Sequence, residues 1–140
     1  MARRVLVDSG PIVALLDRRD TYHQWAQREI ANLHEPLLTC EAVISEVFFL
    51  VSRIRGGTSI FVALLRDGLV LASANFSYRE QSAQVLRHLQ QYGDMPMSFA
   101  DACLVRMSEI ERDCIIFTTD QDFLTYRRNR RQNIPLISPF

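Results

Sequence analysis

Short apolar runs alternate along the chain with longer stretches in which apolar residues recur at helical spacing. The apolar runs predict strands at residues 5–7, 37–39, 69–72, 114–117 and 134–137. The stretches between them predict helices at residues 12–16, 22–33, 41–54, 60–65, 77–92, 98–110 and 122–126. Strands and helices that alternate in this way predict an α/β fold, with a central parallel sheet flanked by helices on both faces.

Several helix boundaries are marked by residues that favour helix ends. Pro11 suits the first turn of the first helix, and Gly68 is predicted to end the helix over 60–65. In a capping box, the side chain of each of two residues accepts the backbone N–H of the other residue. Three pairs match this pattern: Thr21 with Gln24, Ser77 with Glu80, and Ser98 with Asp101. The chain contains no internal repeat or linker, so we expect residues 1–140 to form one domain.

Composition excludes several classes of protein. No apolar run is long enough to span a membrane, and the first residues do not form a signal peptide, so we expect a cytoplasmic protein. The three cysteines lie singly in apolar surroundings, which argues against a disulfide framework and a thiolate zinc site: Cys40, Cys103 and Cys114. The histidines show no ligand spacing either.

The basic residues carry one local signal. The net charge is zero, and all 16 basic residues are arginine. Arginine suits bidentate contact with phosphate, although a GC-rich genome would produce the same bias. Four arginines cluster near the end of the chain, at Arg127, Arg128, Arg130 and Arg131. This cluster is either a solvated basic loop or a nucleic-acid contact, and the pattern alone does not choose between them.

Four acidic residues stand out by their positions. Asp8 and Asp120 lie just beyond predicted strands, where parallel sheets bind their ligands. Glu46 interrupts an apolar helix, where a carboxylate must be paired, protonated or bound to a cation. Asp101 lies in the first turn of a helix, from which a carboxylate can point towards a central cleft. We therefore treat these four residues as candidates for one site.

Each acid also has a local explanation. Asp8 fits a turn, Glu46 a narrow polar strip of its helix, and Asp101 a capping box. Asp120 fits the start of a short helix. Clustered carboxylates repel one another, however, and they persist where a divalent cation joins them. Oxygen ligands without Cys or His favour Mg²⁺ or Mn²⁺ over zinc.

The segments around these acids resemble the motifs of the PIN-domain nucleases and, within them, of the VapC-like toxin group. The four segments are residues 5–17 around Asp8, 44–47 around Glu46, 98–102 around Asp101, and 117–123 around Asp120. They span nearly the whole chain and follow the family's order. Any one motif is weak, but four in order are specific.

The resemblance implies a PIN-like fold with a central parallel sheet of about five strands. It also implies Mg²⁺- or Mn²⁺-dependent cleavage of single-stranded RNA. The catalytic and metal-binding acids carry over as Asp8, Glu46, Asp101 and Asp120. Accessory roles are assigned to Ser9, to Thr118, which would orient Asp120 or a water, and to Asp122. The arginine cluster at 127–131 becomes a candidate for contact with the RNA backbone.

In the mechanism that follows, Asp8, Glu46 and Asp101 hold one divalent ion, and Asp120 completes the cluster or helps a second ion to bind. A water whose pKa the ion lowers would attack in line and leave 5′-phosphate and 3′-hydroxyl ends. No histidine is placed as a general base, and no covalent nucleophile is indicated.

Two protein partners are also expected. The helices predicted at 41–54 and 60–65 are apolar around much of their circumference, so part of their surface is expected to be an interface. The resemblance implies a homodimer and an antitoxin. An amphipathic antitoxin segment would bind an apolar groove, and one of its arginines would displace the metal.

The sequence argues against two other enzyme classes and leaves two further functions open. A haloacid-dehalogenase-like phosphatase needs a second Asp where Gly10 stands, and a phosphate-accepting receiver domain needs a late lysine, which this chain lacks. A housekeeping RNA-processing nuclease and a nonhydrolytic RNA- or protein-binding module both stay open. The sequence does not specify the RNA target, the number of metal ions or the antitoxin.

Overall fold

The computed structural model describes residues 3–140. Its strands are β1 (Arg4–Val7), β2 (Leu37–Thr39), β3 (Val70–Ala72), β4 (Cys114–Phe117), β5 (Arg127–Arg128), β6 (Gln132–Asn133) and β7 (Leu136–Ile137). Five of them form one sheet in the order β3-β2-β1-β4-β7, and every pairing in it is parallel. β5 and β6 form a separate antiparallel hairpin.

Six α-helices and one 3-10 helix connect the strands. They are α1 (Ser9–Leu16), α2 (His23–Ala31), α3 (Glu41–Val51), α4 (Gly57–Arg66), α5 (Tyr78–Gln91), α6 (Phe99–Ile110) and the 3-10 helix Gln121–Leu124. Consecutive residues of β1 are buried from Val5 to Val7. Because neighbouring strand residues point to opposite faces, both faces of the sheet are covered. The predicted α/β architecture is confirmed.

The core lies around the two central strands and α6. Eight residues of α6 are buried, including Leu104 and Val105 with no exposed surface. α6 packs against α5 on one side and contacts β1, β4 and α3 on others. It is therefore the most enclosed helix, and a side chain in its first turn has a fixed position relative to the sheet.

The predicted helix ends are partly wrong. Of the three capping boxes, only the one between Ser98 and Asp101 forms. The Thr21 box fails because α2 starts one residue later, and Asp20 already accepts the Tyr22 N–H at 2.9 Å. Ser77 occupies the N-cap of α5, but its side chain makes no capping hydrogen bond. A pattern of residue types does not reveal such competition from a neighbouring side chain, as at Asp20.

Two glycines determine local geometry. Gly68 follows α4 with φ +76°, the left-handed conformation that ends many helices, so the predicted stop is confirmed. Gly10 lies so close to the side chain of Thr119 that a Cβ at this position would collide with its hydroxyl oxygen. This close approach brings the first turn of α1 against the segment that follows β4.

The β5–β6 hairpin was not predicted. Its turn uses Asn129 at φ 50° and Arg130 at φ 73°, which are unusual angles for residues other than glycine. The turn lacks the Gly-containing pair that usually identifies a tight hairpin in a sequence. The predicted arginine cluster thus occupies β5 and the turn of this hairpin, and β6 contains none of its members.

The apolar helices α3 and α4 bury some of their apolar side chains fully and leave others partly or wholly exposed. Val43, Val47 and Val51 are fully buried, and the Phe48 ring contacts another ring within the fold. Phe49 is 64% exposed and Ile60 is 46% exposed. Within residues 3–140, no helix combines the length and the apolar composition that crossing a membrane requires.

Candidate active site

Three of the four predicted acids converge at the carboxyl end of the central strands. Asp8 directly follows β1, Asp120 follows β4 by two residues, and Asp101 lies in the first turn of α6. One carboxylate oxygen from each lies within 4.8 Å of the others. β1 and β4 are paired in register from Arg4 with Cys114 to Val7 with Phe117, which places Asp8 and the segment leading to Asp120 side by side.

Asp8 is held by hydrogen bonds to both of its carboxylate oxygens. Oδ1 accepts the backbone N–H of Ser9 at 2.8 Å, and Oδ2 accepts the hydroxyl of Thr118 at 2.8 Å. The residue is only 4% exposed. Its role as the N-cap of α1 is therefore real, and the same side chain also lies in the acid cluster. Asp8 therefore caps α1, as the turn interpretation predicts, and its participation in a catalytic site stays a prediction.

Thr118 connects two of the acids. Its hydroxyl donates to Asp8 and also accepts the backbone N–H of Asp120 at 3.0 Å. The residue is fully buried. The sequence-based expectation that Thr118 orients Asp120 agrees with this contact, which acts on the backbone of Asp120 and not on its carboxylate.

Asp101 has a partner that the sequence analysis missed. Its Oδ2 accepts the phenolic hydroxyl of Tyr126 at 3.0 Å, and it also accepts the Ser98 N–H at 3.4 Å within the capping box. Tyr126 is fully buried, and burial followed by the charge of Asp101 raises its pKa. No local pattern pairs residues 101 and 126, and the only signal was an aromatic residue placed shortly after the Asp120 motif.

Asp120 lies at the edge of the cluster and starts the 3-10 helix. Its Oδ1 accepts the backbone N–H of Asp122 at 2.9 Å, so Asp120 itself caps this helix. Burial and the negative charge of Asp120 raise the pKa of Asp122. Asp122 therefore lies near the acids without joining the group of three.

Glu46 lies beside the three acids but outside their group. It is half-buried on α3, and its charge contributes to the raised pKa of Asp8. It lines a cleft of about 500 Å³ together with all three acids, Ser9 and Gly10, and the remaining lining residues are Pro96, Ser98, Thr119 and Gln121. The structure thus brings all four predicted acids to one cleft and separates Glu46 from the tightest cluster.

The electrostatics of the cleft are those of uncompensated negative charge. Burial and then the charge of Asp101 raise the pKa of Asp8 to about 7, although hydrogen bonds from Thr118 and Ser9 oppose the rise. Burial raises the pKa of Asp101 to about 6, against the lowering effect of the Tyr126 hydrogen bond. Among residues 3–140, no arginine or histidine lines this cleft.

A divalent cation fits this arrangement. The donor set is three carboxylates whose oxygens already lie close enough to share one ion, and a cation would supply the charge that the cleft lacks. Oxygen donors without sulfur or imidazole suit Mg²⁺ or Mn²⁺.

The predicted arginine cluster divides into two pairs. The Arg127 guanidinium donates to the backbone carbonyls of Leu124, Thr125 and Tyr126 at 2.8 to 3.0 Å. Arg128 is half-buried and donates to the carbonyl of Ser108 at 3.1 Å. Arg130 and Arg131 are exposed at the hairpin tip. The first pair is thus engaged in holding the hairpin, and only the second projects into solvent.

Comparison with known proteins agrees with this architecture. The structure is similar to Mycobacterium tuberculosis VapC20, described as a sarcin–ricin loop cleaving toxin, with a TM-score of 0.73 and 20% identity over 84% of this chain and 91% of that one. No curated protein sequence matches significantly. The sequence model of the PIN domain matches residues 5–129. This chain therefore belongs to the PIN domain family, as its four acidic motifs predicted.

Proposed function

We propose that this protein is a divalent-metal-dependent endoribonuclease that cleaves single-stranded RNA. The observation that carries the proposal is the group formed by the buried Asp8 and Asp101 and the half-buried Asp120, with one carboxylate oxygen of each within 4.8 Å of the others. A surface that only bound RNA would gain nothing from clustered negative charge facing phosphates. The PIN family membership supports the same chemistry.

Asp8, Asp101 and Asp120 are the residues that would hold Mg²⁺ or Mn²⁺. When bound, the ion neutralises charge on the scissile phosphate and lowers the pKa of water. Thr118 and Tyr126 fix the orientations of Asp8 and Asp101 through their hydroxyl groups. Glu46 lines the cleft without joining the three acids, so we assign it to orienting the attacking water. Attack in line leaves a 5′-phosphate and a 3′-hydroxyl.

Ser9 and Asp122 support the site from its edges. The Ser9 backbone N–H holds Asp8, and Asp122 donates its backbone N–H to Asp120. We assign both to positioning, together with Thr118. Arg130 and Arg131 are exposed, and they remain our candidates for contact with the RNA backbone from the original four-arginine cluster.

The nuclease proposal is tested with labelled single-stranded and double-stranded RNA. We expect cleavage of the single strand with Mg²⁺ or Mn²⁺, none in EDTA, and products that carry 5′-phosphate ends. Asp101→Asn should lose most activity, because an amide binds hard cations poorly. The matched control is Asp67→Asn at an exposed position. Cleavage that persists in EDTA, or an Asp101→Asn protein that is merely less stable and equally active, would reject the proposal.

We further propose that the protein acts as the toxin of a toxin–antitoxin pair and forms a homodimer. The fold similarity to a toxin supports the first statement, and the exposed Phe49 on α3 supports an apolar interface. Expression alone should arrest growth, and Asp101→Asn should relieve the arrest. Full growth on expression of an active nuclease would favour a housekeeping role, and a monomer in light scattering would reject the dimer.

A further inference from the structure

A second cleft in the molecule has the opposite charge to the acid cleft. It has a volume of about 520 Å³, and four of its eight lining residues are arginines: Arg18, Arg19, Arg53 and Arg55. The other lining residues are Leu16, Asp17, Ile54 and Ile60. In a chain of zero net charge, this concentrates a quarter of the basic residues in one concave surface.

These arginines differ from the structural arginines of the hairpin. Nη1 of Arg127 donates to three backbone carbonyls. By contrast, in the part of the chain from residue 3 onwards, none of the four cleft arginines forms a salt bridge or a side-chain hydrogen bond. Arg53 places its guanidinium over the Phe49 ring, 5.4 Å from the centroid. The one acid in the cleft, Asp17, accepts the backbone N–H of Arg19 at 3.0 Å.

The basic cleft is joined to the acid cleft by the same two helices. α1 has Ser9 and Gly10 at the acid cleft, and Leu16 at its other end lines the basic cleft. α3, which packs on α1, has Glu46 at the acid cleft and leads into Arg53. Eight helical residues rise about 12 Å, so the two sites lie within the reach of one short strand of RNA.

We infer that the basic cleft binds the phosphate backbone of the RNA that is cut at the acid cleft. This inference rests on the proposed nuclease function, and it identifies the surface that gives the protein its affinity for RNA. The acids repel a polyanion, so binding energy must come from elsewhere on the surface. Four guanidinium groups around one concavity provide donors that match phosphate oxygens in charge and geometry.

The test measures binding and not cleavage. A fluorescently labelled single-stranded RNA of mixed sequence is titrated with the full chain in EDTA, from about 50 to about 200 mM NaCl. Each phosphate neutralised contributes about 0.7 to the magnitude of the slope of log K against log salt. We expect the pair Arg53→Gln and Arg55→Gln to reduce the slope by about 1.4, and Arg18→Gln with Arg19→Gln to act in the same direction.

Two further pairs with the same charge change complete the design. Arg28→Gln with Arg87→Gln removes exposed arginines of α2 and α5 that lie outside the cleft, and should leave the slope unchanged. Arg130→Gln with Arg131→Gln tests the hairpin tip. Equal slopes for all pairs, or a loss confined to the hairpin pair, would overturn the inference. So would an acidic peptide whose binding the cleft substitutions abolish while RNA binding is unaffected, because the cleft would then belong to a protein partner.

Failure of this inference is distinguishable from failure of the nuclease proposal. Because binding is measured without divalent metal, a reduced slope in the cleft variants supports the basic cleft whether or not the RNA is ever cut. Metal-dependent cleavage combined with an unchanged slope would retain the nuclease and reject the cleft.

Discussion

The hydroxyl of Thr118 lies 2.8 Å from Oδ2 of Asp8 and donates to it, across 110 positions of sequence. The hydroxyl oxygen of Thr118 also accepts the backbone N–H of Asp120. One buried side chain therefore sets the position of two of the three clustered acids. Residues that orient metal ligands in this way affect affinity nearly as much as the ligands themselves.

Thr118→Val should weaken Mn²⁺ binding by about 10- to 100-fold, because Asp8 and the Asp120 backbone both lose a partner. The free energy of unfolding should fall by about 1–2 kcal/mol. Thr118→Ser keeps the hydroxyl and should retain most of the affinity. Calorimetric titration with Mn²⁺ measures the first effect and thermal melting the second. Equal Mn²⁺ affinity in the Val and Ser variants would contradict the assigned role.

Tyr126→Phe should weaken metal binding in a pH-dependent way. Loss of the hydroxyl donor removes an interaction that lowers the pKa of Asp101, so this pKa should rise above about 6. A cation competes with the proton for the carboxylate, and the loss of Mn²⁺ affinity should therefore be large near pH 6 and small near pH 8. The matched control is Tyr92→Phe, since the Tyr92 hydroxyl accepts the Arg127 N–H and does not contact the acids. A pH-independent loss would show that Tyr126 serves packing alone.

Asp8→Asn should stabilise the metal-free protein at alkaline pH. The pKa of Asp8 is raised from 3.8 to about 7, so the folded protein holds this proton more tightly than the unfolded chain does. The free energy of unfolding therefore decreases as pH rises from about 4 to about 7, and this contribution is fully lost above pH 7. We expect the free energy of unfolding of Asp8→Asn to exceed that of the wild type by up to about 4 kcal/mol at pH 8 in EDTA, and to show no gain near pH 4.

Added Mn²⁺ should reverse that order, because only the wild-type acid binds the cation well. Asp67→Asn, at an exposed position, should change neither result. Denaturant titrations at two pH values, with and without Mn²⁺, make the comparison. An Asp8→Asn protein that is less stable at pH 8 in EDTA would mean that its capping and Thr118 contacts outweigh the burial of charge.

Glu46→Gln should separate metal binding from cleavage. Glu46 lines the cleft outside the group of three acids, so its loss should reduce Mn²⁺ affinity less than Asp120→Asn does. Cleavage should nevertheless fall by about 10²-fold or more, the usual scale for a group that acts on a proton. Calorimetry and RNA cleavage are measured on both variants. Equal Mn²⁺ affinities for the two variants would place Glu46 among the metal ligands.

Glu109→Gln should affect stability without affecting the site. Burial alone would raise the pKa of Glu109. Hydrogen bonds from His88, the Asn129 N–H and Arg106 outweigh burial and lower this pKa to about 2. Its lowered pKa contributes stability that is present above about pH 4.5 and lost as pH falls towards 2. We expect a loss of about 2–3 kcal/mol at pH 7 and unchanged Mn²⁺ affinity. A melting temperature equal to that of the wild type at pH 7 would contradict this.

Some features of the protein were determined by local sequence. The strands at 37–39 and 114–117 were predicted with the boundaries that the structure shows, because short apolar runs between polar segments have few other conformations in an α/β pattern. Asp8 and Asp120 were found because the ends of parallel strands share one edge of the sheet. The sequence pattern predicted Asp101 in the first turn of a helix. In the structure, Asp101 belongs to the capping box of α6 and also lines the cleft.

Other features depended on distances that only the packed chain defines. Tyr126 contacts Asp101, and Thr118 contacts Asp8. Glu46 lies outside the group of three acids. The packing of α3, α6 and β4 sets these distances, and residue types along the chain do not encode them. The same holds for the arginines. Proximity in sequence indicated residues 127–131, but in the fold Arg127 and Arg128 donate to backbone carbonyls. The fold instead brings four arginines from two separate segments into one cleft: Arg18, Arg19, Arg53 and Arg55. Charge clusters act through space, so only the tertiary structure decides which arginines form a surface.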